Sequence, residues 1–324
     1  MPTVARSETG HSEGFPSTVY PSTVYRLTMI DTQPFRHLYP FASHWLELDG
    51  LRYHYLDEGS AEAPPLLMLH GNPTWSFYYR HLIPPLSRTH RVIVPDHMGC
   101  GLSDKPQAYS YTLAQHIHNV ERLIEHLGLR DINLMLHDWG GPIGLGYATR
   151  HPEMVSRLVL FNTTATAAPL PKLPKRIKMC RIPLFGELLV RGLNGFCQVG
   201  LQAGTSQPQR FTPEVRAGYL APYNSWANRI AVHRFVQDIP LQADHPTLQT
   251  ARQTEAGLIR LRQHPVLIIW GDDDFCFTSR DFLTDCRAQF PQAEVHVLSQ
   301  AGHYVVEDAH EKIIPLVTSF LEKP

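Results

Sequence analysis

The stretch that most constrains this chain is residues 133–146, where a short apolar strand signal is followed directly by a glycine-rich turn. The apolar residues 132–136 predict a buried strand, and the glycines after Asp138 predict a sharp turn into a helix. Such a turn exposes one side chain, while the following helix supplies backbone N–H donors. Asp138 occupies the exposed position, and Gly140 and Gly141 lack the Cβ atoms that would clash there. The stretch therefore predicts a nucleophile elbow that carries a carboxylate.

An aspartate at this position limits the chemistry. A carboxylate that attacks a carbonyl gives a reactive anhydride, whereas attack on a saturated carbon with a leaving group gives an alkyl ester on the enzyme. The expected electrophile is therefore an alkyl halide, an epoxide or a strained lactone. The alternative is that Asp138 only caps the next helix, because aspartate is a favoured N-cap residue.

The length and the net charge of the chain limit the kinds of partner that we expect. With 324 residues, of which 43% are hydrophobic, the chain is long enough for one α/β core and an inserted subdomain. A formal net charge of -1 gives no electrostatic reason to expect nucleic acid or an anionic membrane. We therefore expect a small, largely apolar substrate and no nucleic-acid partner.

The cysteines and the apolar runs bear on cofactors and location. The five cysteines are odd in number and form no CxxC or Cys/His zinc pattern, so we expect free thiols, a reducing compartment, and neither metal nor cofactor. The N-terminus has no secretory apolar region, and no run approaches the roughly 18 apolar residues of a transmembrane helix. A cytoplasmic location follows as the default expectation.

Strand and helix signals alternate along most of the chain. A hairpin is expected around Asp49 and Gly50, and helical spacing predicts a helix over residues 112–127. Continuous apolar runs at residues 65–69 and 92–94 predict strands buried on both faces of a parallel sheet, and further strands are predicted at residues 132–136, 157–161, 266–270 and 295–298. A closing helix is predicted from about Glu311 to Leu321, with Pro315 making its start uncertain. This order is typical of a mostly parallel, doubly wound sheet.

The remaining segments complete the predicted domain organisation. Residues 1–40 are rich in Ser, Thr and Pro, contain two consecutive copies of Pro-Ser-Thr-Val-Tyr, and are interpreted as a flexible arm. Residues 163–245 carry proline-punctuated amphipathic segments, including helices from Thr212 and from Ser225, and are interpreted as a helical cap. The core is then residues 41–162 and 246–324.

Three candidate catalytic residues lie just past the ends of predicted strands. Asp138, Asp274 and His303 follow one another in the nucleophile, acid, histidine order of the α/β-hydrolase fold, whose sites lie at that edge of the sheet. His303 is the expected base, oriented by the acid. Chemistry alone does not choose among the three aspartates 272–274. Residues 270–274 resemble the Trp-Gly-x-x-Asp pattern of this fold, which selects Asp274.

Two neutral donors complete the predicted site. Asn72 and Trp139 carry an amide and an indole N–H that are able to stabilise negative charge on a leaving group in a dry cavity. The alternatives are that Asn72 is a turn residue before a proline and that Trp139 packs in the core. His70 and His137 are expected to be structural neighbours and not acid–base groups.

Three motifs resemble the haloalkane dehalogenase group of α/β-hydrolases, namely residues 70–80, 96–106 and 137–141. The resemblance covers roughly residues 40–322. It implies that Asp138 attacks the halogen-bearing carbon and that Trp139 and Asn72 hold the halide. It also favours the subgroup whose acid follows the later strand, since Asn162 stands where another subgroup carries Glu.

Further motifs resemble the cis-β-lactone decarboxylases of bacterial long-chain olefin biosynthesis, at residues 191–196, 222–230, 234–240 and 301–308. That resemblance implies action on 3-alkyl-4-alkyl-oxetan-2-ones, with release of carbon dioxide and a cis-alkene. It also implies thiolase, reductase and β-lactone synthetase partners. Cap segments set substrate choice in this fold, so we favour this activity and keep haloalkane dehalogenase as the alternative.

Two further functions are weaker alternatives. An epoxide hydrolase also uses an aspartate nucleophile, and Tyr219 and Tyr223 are candidates to protonate an epoxide oxygen. A non-catalytic receptor would retain the fold without turnover. The intact set of Asp138, Asp274 and His303 argues against that receptor.

Overall fold

An eight-stranded sheet forms the centre of the computed structural model, which describes residues 30–166 and 173–323. The strands lie in the order β1-β2-β4-β3-β5-β6-β7-β8, antiparallel from β1 to β4 across β2 and parallel from there on. They are β1 His44–Leu48, β2 Leu51–Glu58, β3 Pro65–Leu69, β4 Arg91–Pro95, β5 Ile132–Asp138, β6 Val155–Thr163, β7 Val266–Gly271 and β8 Glu294–Leu298. This is the mostly parallel, doubly wound sheet that the apolar runs predict.

Local chemistry explains why these residues form these strands. Asp49 and Gly50 have φ of 52° and 81°, which is the backbone that a two-residue hairpin turn between β1 and β2 requires. In β3, Leu66 and Met68 pack into one buried cluster, whereas Leu67 and Leu69 pack into the other. Side chains alternate across a strand, so an unbroken apolar run serves both faces of the sheet.

Helices cover both faces. They are α1 Ile83–Leu86, α2 Leu113–His126, α3 Gly140–Arg150, α4 Lys175–Met179, α5 Phe185–Glu187, α6 Gly195–Ala203, α7 Pro213–Leu220, α8 Ile230–Gln237, α9 Pro246–Gly257, α10 Thr284–Gln289 and α11 Val305–Leu321. Helices α2, α3 and α9 pack together on one face, and α11 packs on β6 and β7. Helices α4 to α8 lie between β6 and β7 in the chain, where the cap is predicted.

The predicted arm is only partly described. Residues 1–29 lie outside the described residues, as does the direct repeat. Within residues 30–40, a 3₁₀ helix spans Gln33–Phe35, and Phe35 and Tyr39 are buried against Trp75 and Phe77. This part of the predicted arm is therefore packed on the core, because its aromatic side chains leave water. The division into core and cap at residues 163 and 245 stays a prediction.

The last helix differs from the prediction. It begins at Val305 instead of about Glu311, and it contains Pro315, with a non-helical residue at Ala309. The early start depends on tertiary contacts, since Asp308 accepts hydrogen bonds from the backbone N–H groups of Gly302 and Ser206, at 2.8 and 2.9 Å. These bonds hold the first turn in place, and no local signal in the sequence announces them.

Two expectations from the cysteines and the apolar runs can be compared with the structure. The five cysteines are free thiols, as predicted, and Cys276 is the least buried of them. In the ranges 30–166 and 173–323, no helix is long and apolar enough to cross a membrane.

A buried ion pair joins three parts of the chain. The guanidinium of Arg80, after β3, donates two hydrogen bonds of 2.7 Å to the carboxylate of Glu307 in α11. The hydroxyl of Tyr219 in α7 donates to the same carboxylate at 2.9 Å. Burial opposes ionisation of Glu307, but hydrogen bonding from His81 and the charge of Arg80 hold its pKa at about 2. The pair therefore connects helix α7 to the parts of the chain that contain β3 and α11.

Replacing Glu307 with Gln should destabilise the protein by about 3–5 kcal/mol, because the buried Arg80 loses its counter-charge. The wild type should also become less stable as the pH falls from about 4.5 through about 2. The fold stabilises the ionised form of Glu307, and this stabilisation is lost as the carboxylate becomes protonated. Urea unfolding at several pH values measures both effects. The control is Glu311→Gln, which removes an exposed pair with Arg210 worth about 0–1 kcal/mol. Equal losses in the two variants would contradict the prediction.

Candidate active site

The turn after β5 holds Asp138 in a backbone conformation that few residues adopt. Its φ is 49°, in the left-handed region that aspartate tolerates better than most side chains. A Cβ at Gly140 would overlap the carbonyl of Leu69, and one at Gly141 would overlap the hydroxyl of Thr163. That hydroxyl donates a 2.6 Å hydrogen bond to the carbonyl of Asp138. The glycines therefore let α3 start directly against β3 and β6, as the sequence predicts.

The three candidate catalytic residues meet at the C-terminal edge of the sheet. His303 Nδ1 donates to Asp274 Oδ2 at 2.9 Å, and His303 Nε2 donates to Asp138 Oδ2 at 3.2 Å. All three side chains are buried. The arrangement has the geometry of a nucleophile, a histidine and an orienting acid.

The structure distinguishes the three consecutive aspartates. Asp272 and Asp273 are exposed and accept hydrogen bonds from Ser279 and Ser206, at 2.6 and 2.8 Å. Asp274 is buried and faces His303, the contact that the choice of Asp274 predicts. Its second oxygen accepts from the backbone N–H groups of Cys276 and Phe277, at 2.7 and 3.1 Å. Asp274 is thus fixed by the loop that follows β7.

Asn162, at the end of β6, has a role that the sequence prediction missed. Its Nδ2 donates to Asp274 Oδ2 and to the carbonyl of Gly271, each at 3.0 Å. Its Oδ1 accepts from the backbone N–H of Gly271 at 2.8 Å. A buried amide needs partners for all these groups, so Asn162 locks the acid onto β7. The signal in the sequence is a polar residue directly after the apolar run 157–161.

Asn72 and Trp139 both line the cavity beside Asp138 and His303. Asn72 Nδ2 donates to the carbonyl of Val232 in α8 at 3.2 Å, which leaves its second N–H for a ligand. The half-buried indole of Trp139 packs on Phe235 of α8, with 5.2 Å between ring centroids. No residue in the described part of the chain accepts a hydrogen bond from that indole. Both donors therefore contact helix α8.

His70 and His137 are buried beside this group, as predicted for structural neighbours. His70 Nδ1 donates to the carbonyl of Gly71 at 2.7 Å, and its Nε2 accepts from the backbone N–H of His97 at 3.1 Å. His137 Nε2 donates to the carbonyl of His303 at 2.9 Å. Burial lowers the pKa of both imidazoles, so they are neutral and hold the backbone around the site.

The charges of the site are coupled. Burial lowers the pKa of His303, but the charge of Asp274 and the hydrogen bonds that the imidazole donates to both carboxylates outweigh it and raise the pKa to about 10. Burial raises the pKa of Asp138, and the hydrogen bond with His303 opposes that shift. The imidazolium that this raised pKa favours lies between the two carboxylates, and its positive charge favours the ionised form of Asp138.

A cavity of about 1230 Å³ opens onto Asp138. Core and cap both contribute apolar side chains to its wall, including Leu113, Leu145, Leu189, Phe196, Val199 and Ile239. Tyr219 and Tyr223 are not among the lining residues. Their hydroxyls donate to Glu307 and to the carbonyl of Thr74, both at 2.9 Å, so neither is placed to protonate an epoxide.

Comparisons with known proteins agree with this architecture. A family model described as the alpha/beta hydrolase fold matches residues 64–180 and 201–309. The chain is 45% identical to a cis-3-alkyl-4-alkyloxetan-2-one decarboxylase of Shewanella oneidensis, over 90% of this chain and 91% of that protein. A protein of the same name from Xanthomonas campestris is 42% identical, over 85% and 93%. The crystal structure of a putative ancestral haloalkane dehalogenase matches with a TM-score of 0.78 and 26% identity, over 86% and 98%.

Replacing Asp274 with Asn should lower the pKa of His303 by about 1–3 pH units. The carboxylate of Asp138 alone would then oppose the lowering of that pKa by burial. Because folding raises the pKa of His303, the protonated imidazole stabilises the folded protein. This stabilisation is complete below about pH 6.5 and is lost as the pH rises through about 10. NMR titration of the imidazole, assigned with a His303→Gln spectrum, measures the shift. Asp272→Asn is the control, since that aspartate does not contact His303. An unchanged titration in the Asp274 variant would contradict the prediction.

Proposed function

Because this chain belongs to the alpha/beta hydrolase fold family, we propose that it is an enzyme that converts cis-3,4-dialkyl β-lactones to cis-alkenes and carbon dioxide. The observation that carries the proposal is the large apolar cavity beside Asp138. The names of the two decarboxylase relatives support the same substrate class.

The cavity favours a substrate with long alkyl chains. Pockets for drug-sized ligands measure about 300–1,000 Å³, and this cavity, at about 1230 Å³, is larger. A short haloalkane would leave most of it unfilled, whereas two alkyl chains on adjacent ring carbons would bury apolar surface against both core and cap. The polar groups that we assign to the reaction, Asp138, Asn72, Trp139 and His303, lie together in its wall.

In the first proposed step, a carboxylate oxygen of Asp138 attacks the ring carbon that carries the lactone oxygen. The carbon–oxygen bond of the ring breaks with inversion, an alkyl ester forms on Asp138, and the departing carboxylate accepts hydrogen bonds from Asn72 and Trp139. The free N–H groups of these two residues are the donors available for that charge. Ring strain supplies part of the driving force.

In the second step, the bond between the other ring carbon and the carboxylate breaks. Its electrons form the carbon–carbon double bond and expel Asp138 from its ester, so that carbon dioxide leaves anti to Asp138. Inversion followed by anti elimination converts a cis lactone to a cis alkene. No water is consumed and no base is needed, which is compatible with a His303 whose pKa of about 10 keeps it protonated.

Haloalkane dehalogenase activity is the second candidate. Asn72 and Trp139 suit a halide as well as a carboxylate, and the dehalogenase structure shares the fold. Hydrolysis would require His303 to take a proton from water. Esterification of Asp138 removes one of the two carboxylates that raise the pKa of His303, so a base becomes available at that stage. The partner enzymes of olefin biosynthesis and the cytoplasmic location stay predictions.

A product assay separates the two candidates. Purified protein is incubated with a cis-dialkyl β-lactone and, separately, with a long-chain bromoalkane, and alkene and bromide are measured. We expect alkene and little bromide, because the cap resembles that of the decarboxylases. Bromide without alkene would contradict the proposal and identify a hydrolytic dehalogenase.

Replacing Asp138 with Asn should reduce turnover at least about a thousandfold, since the amide is a poor nucleophile, while lactone binding persists. Asparagine also tolerates the φ of 49°, so the fold should be retained. Asp273→Asn is the control, because that side chain is exposed. Wild-type enzyme quenched during turnover should carry an alkyl ester on Asp138, detected by mass spectrometry. An acylated Asp138, or unchanged turnover in the variant, would overturn the mechanism.

A further inference from the structure

Large apolar side chains are exposed along the segment that joins α4 to α6. We define the apolar patch as Ile182, Leu184, Phe185, Leu188 and Leu193. Leu184 is 84% exposed and Leu193 is 69% exposed. Single exposed apolar residues are normal on a protein surface, but a group of them within a dozen residues marks a binding surface.

The backbone of this segment presents leucine to the outside. Leu184 has a φ of 61°, which β-carbon-bearing residues adopt rarely and which is unusual for a leucine. Hydrogen bonds hold it there, since the N–H of Phe185 donates to Pro183 and the N–H of Gly186 donates to Ile182, both at 2.7 Å. Leu188 follows in the next turn, where its backbone N–H donates to the carbonyl of Leu184 at 2.9 Å. This unusual backbone conformation therefore carries an exposed leucine at a position where glycine or asparagine would adopt the same φ at a lower energetic cost.

Helix α4, directly before the apolar patch, makes this part of the chain basic. Residues 173–206 contain five Lys or Arg residues and one acidic residue, Glu187, which is paired with Arg191 at 2.6 Å. Lys175, Arg176 and Lys178 of α4 are exposed and form no ion pair with any residue in the described ranges. The whole chain has a formal charge of -1, so the remainder is net acidic. The net charge alone predicted no attraction to an anionic membrane, and this uneven distribution revises that expectation.

We propose that the apolar patch docks on the surface of an anionic phospholipid bilayer. Leucine, isoleucine and phenylalanine beside lysine and arginine is the composition of segments that lie in a membrane interface. Basic residues next to the bilayer surface are attracted by its negative potential. Two of the three exposed and unpaired basic residues of α4 are lysines, which protein interfaces carry less often than other surfaces.

The position of the apolar patch relates membrane docking to the cavity. Arg176, Met179 and Val199 are exposed and also line the cavity, so the cavity wall and the apolar patch are built from one segment. A docked cap would bring this side of the cavity to the lipid surface, where a water-insoluble molecule enters without crossing bulk water. The docking proposal depends on surface composition and not on the proposed reaction, so each can fail separately.

Co-sedimentation with vesicles tests the proposal. The full chain is mixed with vesicles of phosphatidylcholine alone or with about one third phosphatidylglycerol, at low and high salt. We expect binding to the anionic vesicles, weakened by salt. Leu184→Gln with Phe185→Gln, and separately Lys175→Glu with Lys178→Glu, should each weaken binding at least about tenfold. Turnover of a short-chain, water-soluble substrate without vesicles should be unchanged, because none of these four residues lines the cavity.

Matched controls change equally exposed residues outside the patch. Ile259→Gln with Val297→Thr removes apolar groups, and Arg260→Glu with Arg262→Glu reverses two charges. These variants should bind vesicles like the wild type. Equal loss in the controls, or no vesicle binding by the wild type, would overturn the proposal. A concentration-dependent dimer in light scattering that the Leu184 and Phe185 changes abolish, without vesicle binding, would identify a second copy of the chain as the occupant instead.

Discussion

The turn at Asp138 is the constraint on which the candidate site depends. A side chain at the end of a central parallel strand normally lies within the sheet, and the left-handed backbone at Asp138 directs it into the cavity. That conformation is possible because glycines lie on all sides of it, including Gly71, where a Cβ would overlap the Asp138 side chain. The first residues of α3 are then held against two neighbouring strands. Backbone packing therefore directs the carboxylate of Asp138 into the cavity, where its Oδ2 accepts a hydrogen bond from His303 Nε2 at 3.2 Å.

The charges around His303 are the second feature on which the candidate site depends. The two buried carboxylates raise the pKa of the imidazole between them, and the hydrogen bond with His303 opposes the rise in the pKa of Asp138 that burial causes. Asn162 and the loop after β7 saturate Asp274 with hydrogen bonds, so this carboxylate holds its place. A protonated histidine is suited to a reaction that consumes no water. A hydrolytic reaction would need the charge on Asp138 to be neutralised first.

The segment that holds helices α4 to α8 contributes to the site in two ways. Helix α8 contacts both donors, through the carbonyl of Val232 and the ring of Phe235. Residues 173–200 form much of the cavity wall on one side and the apolar patch on the other. The core of the fold can then remain the same in proteins of different activity, while changes in the cap alter cavity, donors and outer surface together. This is the physical reason for weighting cap segments above the shared core motifs.

The sequence alone determined the central strands of the sheet, because short apolar runs bounded by turn residues are typical of strands that are buried on both faces. It also determined the edge at which Asp138, Asp274 and His303 meet, because parallel strands end on one side. Only the tertiary structure distinguished Asp274 from Asp272 by contact, connected Asn162 to that acid, and paired Arg80 with Glu307 across more than two hundred residues. It also decided that residues 33–39 pack on the core and that Leu184 is exposed. These features depend on which distant groups surround a residue, and neither composition nor spacing contains that information.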